Sequence, residues 1–186
     1  MAQTIELEGT GSFFHVHEKY QSQYAKDNNY DGSYSMQLAI DKNSPEFETL
    51  KNAVKAEGIR TNSATMKLRD GDKVLNREKE PVAPNQWLLS AKSRFNVSVV
   101  DIEGNELELT AEPNDESHVV MAITIKKNRK GEAAYYLLGV QIIEQGDKEP
   151  FKQEVYKFCA FGKPAESKPA EQTDEEFNEE FDSNLE

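Results

Sequence analysis

The stretch HVVMAITIKKNRKGEAAYYLLGVQIIEQG, residues 118–146, commits the chain to a β-sheet. Both of its arms are rich in Val, Ile and Tyr, side chains that fit a pleated, half-buried surface. Between them KKNRKGE supplies Asn128 and Gly131, residues suited to a tight turn. The pattern predicts an antiparallel hairpin.

Other segments carry the same period. In SYSMQLAID, Tyr34, Met36, Leu38 and Ile40 alternate with Ser33, Ser35, Gln37 and Ala39, as in a strand with one buried face. GSFFHVHEKY, ending at Tyr20, reads as a first strand, and residues 21–33 as a polar loop that nonetheless holds Tyr24 and Tyr30. QWLLSAKSRFNVSVVD reads as one long strand. Leu89, Ala91, Ser93, Phe95, Val97 and Val99 share one face, and Leu88, Ser90, Lys92, Arg94, Asn96 and Ser98 the other. A short strand is expected near Thr65–Arg69 and another in ELELTA. One helix interrupts the strands. Ser44 is a good N-cap, Pro45 fits the first helical position, and Glu46 and Glu48 favour the positive end of the helix dipole. Phe47, Leu50 and Val54 form its apolar face, and Gly58 stops it. The sum is a mainly β chain, an OB-fold-like small barrel with one inserted helix, although strand count equally allows another barrel or a sandwich.

Charge divides the chain in two. Of the net −12, −8 lies in residues 171–186, which hold eight acids and no base, so residues 1–170 carry −4. From KPAESKPAEQ onward too few apolar residues remain to fold. The expected organisation is a folded OB-like domain over residues 1–161 and a disordered acidic tail over 162–186. The single cysteine, Cys159, rules out a disulfide within the chain and fits a reducing compartment. No run of 18 apolar residues predicts a membrane span, and no basic-then-apolar leader predicts secretion.

Signals for catalysis are weak. The sequence has no phosphate-binding GxxxxGK[ST] loop, no HExxH and no CxxC. His15 and His17 could hold a metal from one face of a strand, but few further ligands lie near them; two histidines beside an aromatic pair is the simpler reading. Cys159 between Phe158 and Phe161 reads as a buried thiol. No cofactor and no enzymatic activity are expected.

Signals for nucleic-acid binding are better. Lys92 and Arg94 share a strand face, and Trp87 stands at that strand's start. The hairpin tip gathers Lys126, Lys127, Arg129 and Lys130, followed by Tyr135 and Tyr136, and the loop 61–79 adds Lys67 and Arg69. Tyr135 and Tyr136 point to opposite faces, so at least one belongs to the core. Cations interleaved with aromatics suit a single strand: the cations follow the phosphates and rings stack on unpaired bases, without sequence preference. A flat basic groove would accept duplex phosphates too. The simpler alternative for the tip is a solvated turn whose lysines discourage edge aggregation. The tail, tethered at high local concentration, could compete with nucleic acid for the same cations. Phe177 and Phe181 would then imitate stacked bases or anchor the tail on a partner.

In this order the parts resemble the OB-fold single-stranded DNA-binding proteins of tailed bacteriophages: tyrosine-bearing loop, GSYSMQLAI strand, DKNSPEFETLKNAVKAEG helix, basic WLLSAKSRFNVSVVD strand, AITIKKNRKGEAAYYLLGVQII hairpin, and acidic tail with Phe177 and Phe181. The resemblance spans essentially the whole chain and rests on the order of parts, no single motif being diagnostic. It implies binding to single-stranded DNA in phage replication, recombination and repair, in the cytoplasm of the infected bacterial host, with a homodimer allowed. It also implies a tail, here Asp174, Glu175, Glu176, Phe177, Glu179, Glu180, Phe181 and Asp182, that shields the DNA groove and contacts a polymerase or helicase–primase. The positions matching the family's DNA-binding parts are Lys92, Arg94, Lys126, Lys127, Arg129 and Lys130, with Tyr20, Tyr24 and Tyr30 as stacking candidates. Tails of this kind often finish on an aromatic, whereas this sequence ends Asn-Leu-Glu after Phe181. The rival expectation is an acidic β-domain that binds proteins, as a DNA mimic or an assembly adaptor; a nuclease using His15 and His17 is a third.

Overall fold

A computed structural model describes residues 2–150, which fall within one compact unit, Met1–Phe151. The expected body–tail boundary and all the tail residues named above lie outside the described residues. In chain order the described elements are β1 (Gln3–Tyr20), α1 (Gln23–Asp27), β2 (Ser33–Asp41), α2 (Pro45–Ala56), β3 (Arg69–Asp70), β4 (Gln86–Ser93), β5 (Ser98–Val100), β6 (Ser117–Lys127) and β7 (Ala133–Glu144).

Five of these strands close a barrel. The hydrogen-bonded order runs β4-β2-β1-β6-β7, and a β4–β7 pairing joins the ends. Numbered by their place among these five, the strands run 1-2-3-5-4 and back to 1. All neighbours are antiparallel except the parallel β4–β7 closure. This is the Greek-key order of an OB barrel, so the expected fold class holds.

β1 is the spine of this closure, and its length follows from the job. Gln3–Gly11 pairs with β6, while Thr10–Tyr20 pairs with β2. The expected first strand covered only the second half. The first half was signalled by Ile5 and Leu7 alternating with Thr4, Glu6 and Glu8. The strand passes from one neighbour to the other at Gly9 and Gly11. A Cβ at Gly9 would lie 2.4 Å from the Ala39 carbonyl oxygen, and one at Gly11 would lie 2.5 Å from the Phe14 ring. Only glycine lets these layers approach so closely. Past the crossover, β1 bulges between Ser12 and His15, with Phe13 at φ +53°. The Glu112 carboxylate fastens the chain there, accepting from the backbone N–H groups of Val16 (2.7 Å), His17 and Glu18 (2.9 Å).

The helix forms as its sequence predicts. The Ser44 hydroxyl accepts from the Phe47 N–H, Pro45 opens α2, and Gly58 takes φ +69° beyond its end. Leu50, Ala53 and Val54 are buried against the barrel core of Leu7, Met36, Leu38, Leu89, Met121, Ile123 and Leu137. ELELTA forms no strand; one bridge joins Glu106 to Val100, and Leu109 packs against the core. The polar loop 21–33 contains the short helix α1, capped by Ser22.

The long strand expected over residues 86–101 is broken. Lys92 pairs with Tyr136 and Ser98 with Gly139 on the same β7 edge. The chain thus takes six steps where β7 takes three, and the surplus is extruded as a bulge around Arg94–Asn96. Phe95, which alternation assigns to the core face, is 83% exposed. Alternation is a property of a paired strand, and the pairing is absent here.

Candidate nucleic-acid interface

The barrel's register builds one continuous row across its outer surface. His15 on β1 pairs with Ser35 on β2, Ser35 with Lys92 on β4, and Lys92 with Tyr136 on β7. Tyr136 pairs in turn with Thr124 on β6. Each step is one strand spacing, about 4.8 Å measured round the barrel. The inward neighbours Met36, Ala91 and Tyr135 are buried, which turns the row toward solvent.

Lys92 and Arg94 are exposed and have no ion-pair or hydrogen-bond partner among the described residues. Beside them the Lys126 ammonium lies 5.4 Å from the centroid of the Tyr136 ring, a cation–π contact that still leaves the ring 47% exposed. At the other end of the row the Tyr20 ring packs 4.9 Å from His15, with its planes tilted by 33°. The β1–β2 loop presents a second pair, Tyr24 and Tyr30, 6.2 Å apart and 69% and 58% exposed. Their backbone is held by Tyr30 N–H to Ala25 O (2.8 Å) and Gln21 Nε2 to Tyr30 O (2.7 Å). The β6–β7 turn is equally fixed. Asn128 Oδ1 accepts from the N–H groups of Lys130 and Glu132, both at 2.9 Å, and Gly131 takes φ +80°. Arg129 and Lys130 stand exposed on this turn.

Five of the sequence-predicted residues are placed differently. Tyr135 is the core member of its pair: its ring is buried and its hydroxyl donates to Met66 O at 2.7 Å, so burial pushes its pKa up. The solvent-facing ring is Tyr136. Trp87 shares the inward parity of Leu89 and Ala91. It packs 6.1 Å from Phe47 on α2, with the Lys42 ammonium 4.8 Å from its ring. Lys67 pairs with Glu132 at 2.9 Å, and Lys127 donates to Gly58 O at 2.9 Å. Both cations therefore brace the hairpin turn against the segment that follows α2. Glu132 is held below the usual carboxylate range, first by Asn128 and then by Lys67. Arg69 also has an internal partner, donating to Gln37 Oε1 on the outer side of β2.

His15 and His17 lie in no metal-binding cluster: no group of three or more His, Cys, Asp or Glu residues suited to a metal occurs among the described residues. No helix among them is long and apolar enough to cross a membrane.

No family model matches the chain, and no curated protein matches it. Solved structures do. The single-stranded DNA-binding protein of bacteriophage Enc34, in complex with single-stranded DNA, aligns at TM-score 0.56 and 21% identity over 80% of this chain and 89% of its own. A C-terminal truncation of the same Enc34 protein aligns at 0.60 and 20% over 80% and 88%. The gp2.5 protein, a single-stranded DNA-binding protein encoded by bacteriophage T7, aligns at 0.53 and 14% over 86% and 100%. At these identities the likeness is one of architecture, and the chain has the fold of the bacteriophage single-stranded DNA-binding proteins.

Proposed function

We propose that the chain binds single-stranded DNA without sequence preference, across the outer face of β2, β4 and β7. The observation that carries this is the Ser35–Lys92–Tyr136 row, flanked by exposed tyrosines on the β1–β2 loop and exposed cations on the β6–β7 turn. In OB barrels the face of the second and third strands, and the loops joining strands 1–2 and 4–5, are the oligonucleotide-binding parts. Here those are β2, β4 and these two loops. Lys92, Arg94, Lys126, Arg129 and Lys130 would follow phosphates, and Tyr20, Tyr24, Tyr30 and Tyr136 would stack on bases. That the Enc34 relative is described in complex with single-stranded DNA supports the reading.

The work of such a protein is to cover unpaired DNA during phage replication, recombination and repair in the infected host. The acidic tail competes with DNA for the cationic face and contacts a polymerase or helicase–primase through Phe177 and Phe181. Support for the tail's role is the charge split, −8 against −4, together with Lys92 and Arg94, which have no partner among the described residues.

Titration of full-length protein against an oligothymidylate at several salt concentrations tests the reading. Five phosphate contacts predict a log–log salt slope of about −3.5. Removing residues 165–186 should tighten binding. No affinity at low salt would favour the acidic protein-interaction module instead.

A further inference from the structure

We infer that Phe95 is a base-stacking side chain that sets the preference for unpaired over paired DNA. This rests on the reading that the β2–β4–β7 face binds single strands.

A phenylalanine left in water is normally an accident of a loose loop. Here the loop is built to hold it. The Ser93 hydroxyl donates to Phe95 O (2.9 Å) and accepts from the Phe95 N–H (3.1 Å), closing a tight turn on the residue. One step later the Tyr34 hydroxyl, from β2, donates to Asn96 Oδ1 at 2.9 Å. β4 pairs with β7 on one side of the bulge, and β5 pairs with β7 on the other. The extruded residues are thus tied on both flanks and from β2. Strand bulges of this kind re-aim a side chain, and the one re-aimed here is the most exposed large apolar residue among those described.

The surroundings select the occupant. Arg94 precedes Phe95 and Lys92 lies two residues before that, both exposed and without partners among the described residues. Lys92 is also the cross-strand partner of Tyr136. An apolar ring with cations on its approach suits a ligand that offers a flat π-face beside a phosphate, which is a nucleotide with its base turned out. A duplex offers the same phosphates, but its base faces are already stacked on each other. Phe95 can therefore gain a partner only on a single strand, whereas Lys92 and Arg94 gain one on either.

The test compares wild type, Phe95→Ala and Phe95→Trp on three ligands of equal length: an oligothymidylate, the same backbone with abasic sites throughout, and a duplex. Phe95→Ala should weaken oligothymidylate binding by roughly 5- to 100-fold. It should leave the abasic and duplex affinities and the salt slope unchanged, and Phe95→Trp should restore binding. An unchanged oligothymidylate affinity in Phe95→Ala, or an equal loss on the abasic strand, would overturn the inference while leaving the binding face intact. Failure of the wild type to bind oligothymidylate would instead remove the underlying reading, and the inference with it.

Discussion

The outer surface of the barrel has two sides built on one scaffold. On the β1–β6 side, Thr4, Glu6, Glu8 and Thr10 face Thr124, Ala122, Val120 and His118, and the His118 imidazole lies 2.7 Å from the Glu8 carboxylate. On the β2–β4–β7 side, Ser35, Lys92 and Tyr136 stand in line, with Arg94 and Lys126 beside them. Both sides have the same inward apolar alternation. The difference lies in what the outward positions carry: acids already partnered or solvated on one side, and on the other open rings with cations that have no ion-pair partner among the described residues. On the proposed function, a polyanion would be repelled by the first and held by the second. The barrel therefore fixes where a ligand fits, and the outward residues decide which ligand it is.

Exchanging neighbouring residues sharpens that contrast most. Tyr135→Ala removes a buried ring and strands the Met66 carbonyl, so it should destabilise the fold by about 3–5 kcal/mol in denaturant unfolding. Tyr136→Ala, one residue on, should leave stability within about 0.5 kcal/mol yet weaken single-stranded DNA binding by roughly 5- to 100-fold. If both variants changed stability alike, the two faces of β7 would not be separated as described.

Charge gives the next largest effect. Lys92→Ala should weaken binding to every sequence about equally and flatten the salt slope by about 0.7 to 1. Glu132→Gln should act in the opposite direction. It frees Lys67 from its ion pair while keeping a side chain that can bond Asn128, and it should steepen the slope by about 0.7. An unaltered slope would show that Lys67 lies out of reach of the DNA.

The smallest effect is on acid stability. The folded Glu132 carboxyl titrates below its ordinary range because Asn128 and Lys67 favour its charged form. Its contribution is therefore complete above the ordinary glutamate range and is lost as pH falls through the lower folded value. Hydrogen exchange at the Lys130 and Glu132 amides should quicken in that acid window in wild type, and Glu132→Gln should abolish the dependence.

How much of this was legible in the sequence depended on how local each cause is. β2, α2 and the hairpin arms follow from short-range alternation and capping, and Ser44, Pro45 and Gly58 behave as their types predict. The bulge at Arg94–Asn96 does not, because the alternation of QWLLSAKSRFNVSVV runs through it unbroken. Only the β7 register shows that three residues are surplus. The choice between Tyr135 and Tyr136 is likewise set by a partner 69 residues away, the Met66 carbonyl. Lys67 and Lys127 looked like free cations because Glu132 and the Gly58 carbonyl are distant from them in sequence. Trp87 looked like a stacking ring because the α2 residue that covers it, Phe47, lies 40 positions earlier.

The central claim is that one side of the barrel binds single strands and the other does not. The most direct test is a salt-dependent oligothymidylate titration of two double variants, Lys92→Ala with Tyr136→Ala, and Glu6→Gln with Glu8→Gln. The account predicts that the first pair loses at least tenfold in affinity with an unchanged fold, and that the second keeps or gains affinity. Equal losses in both pairs, or a loss confined to the Glu6–Glu8 side, would contradict it.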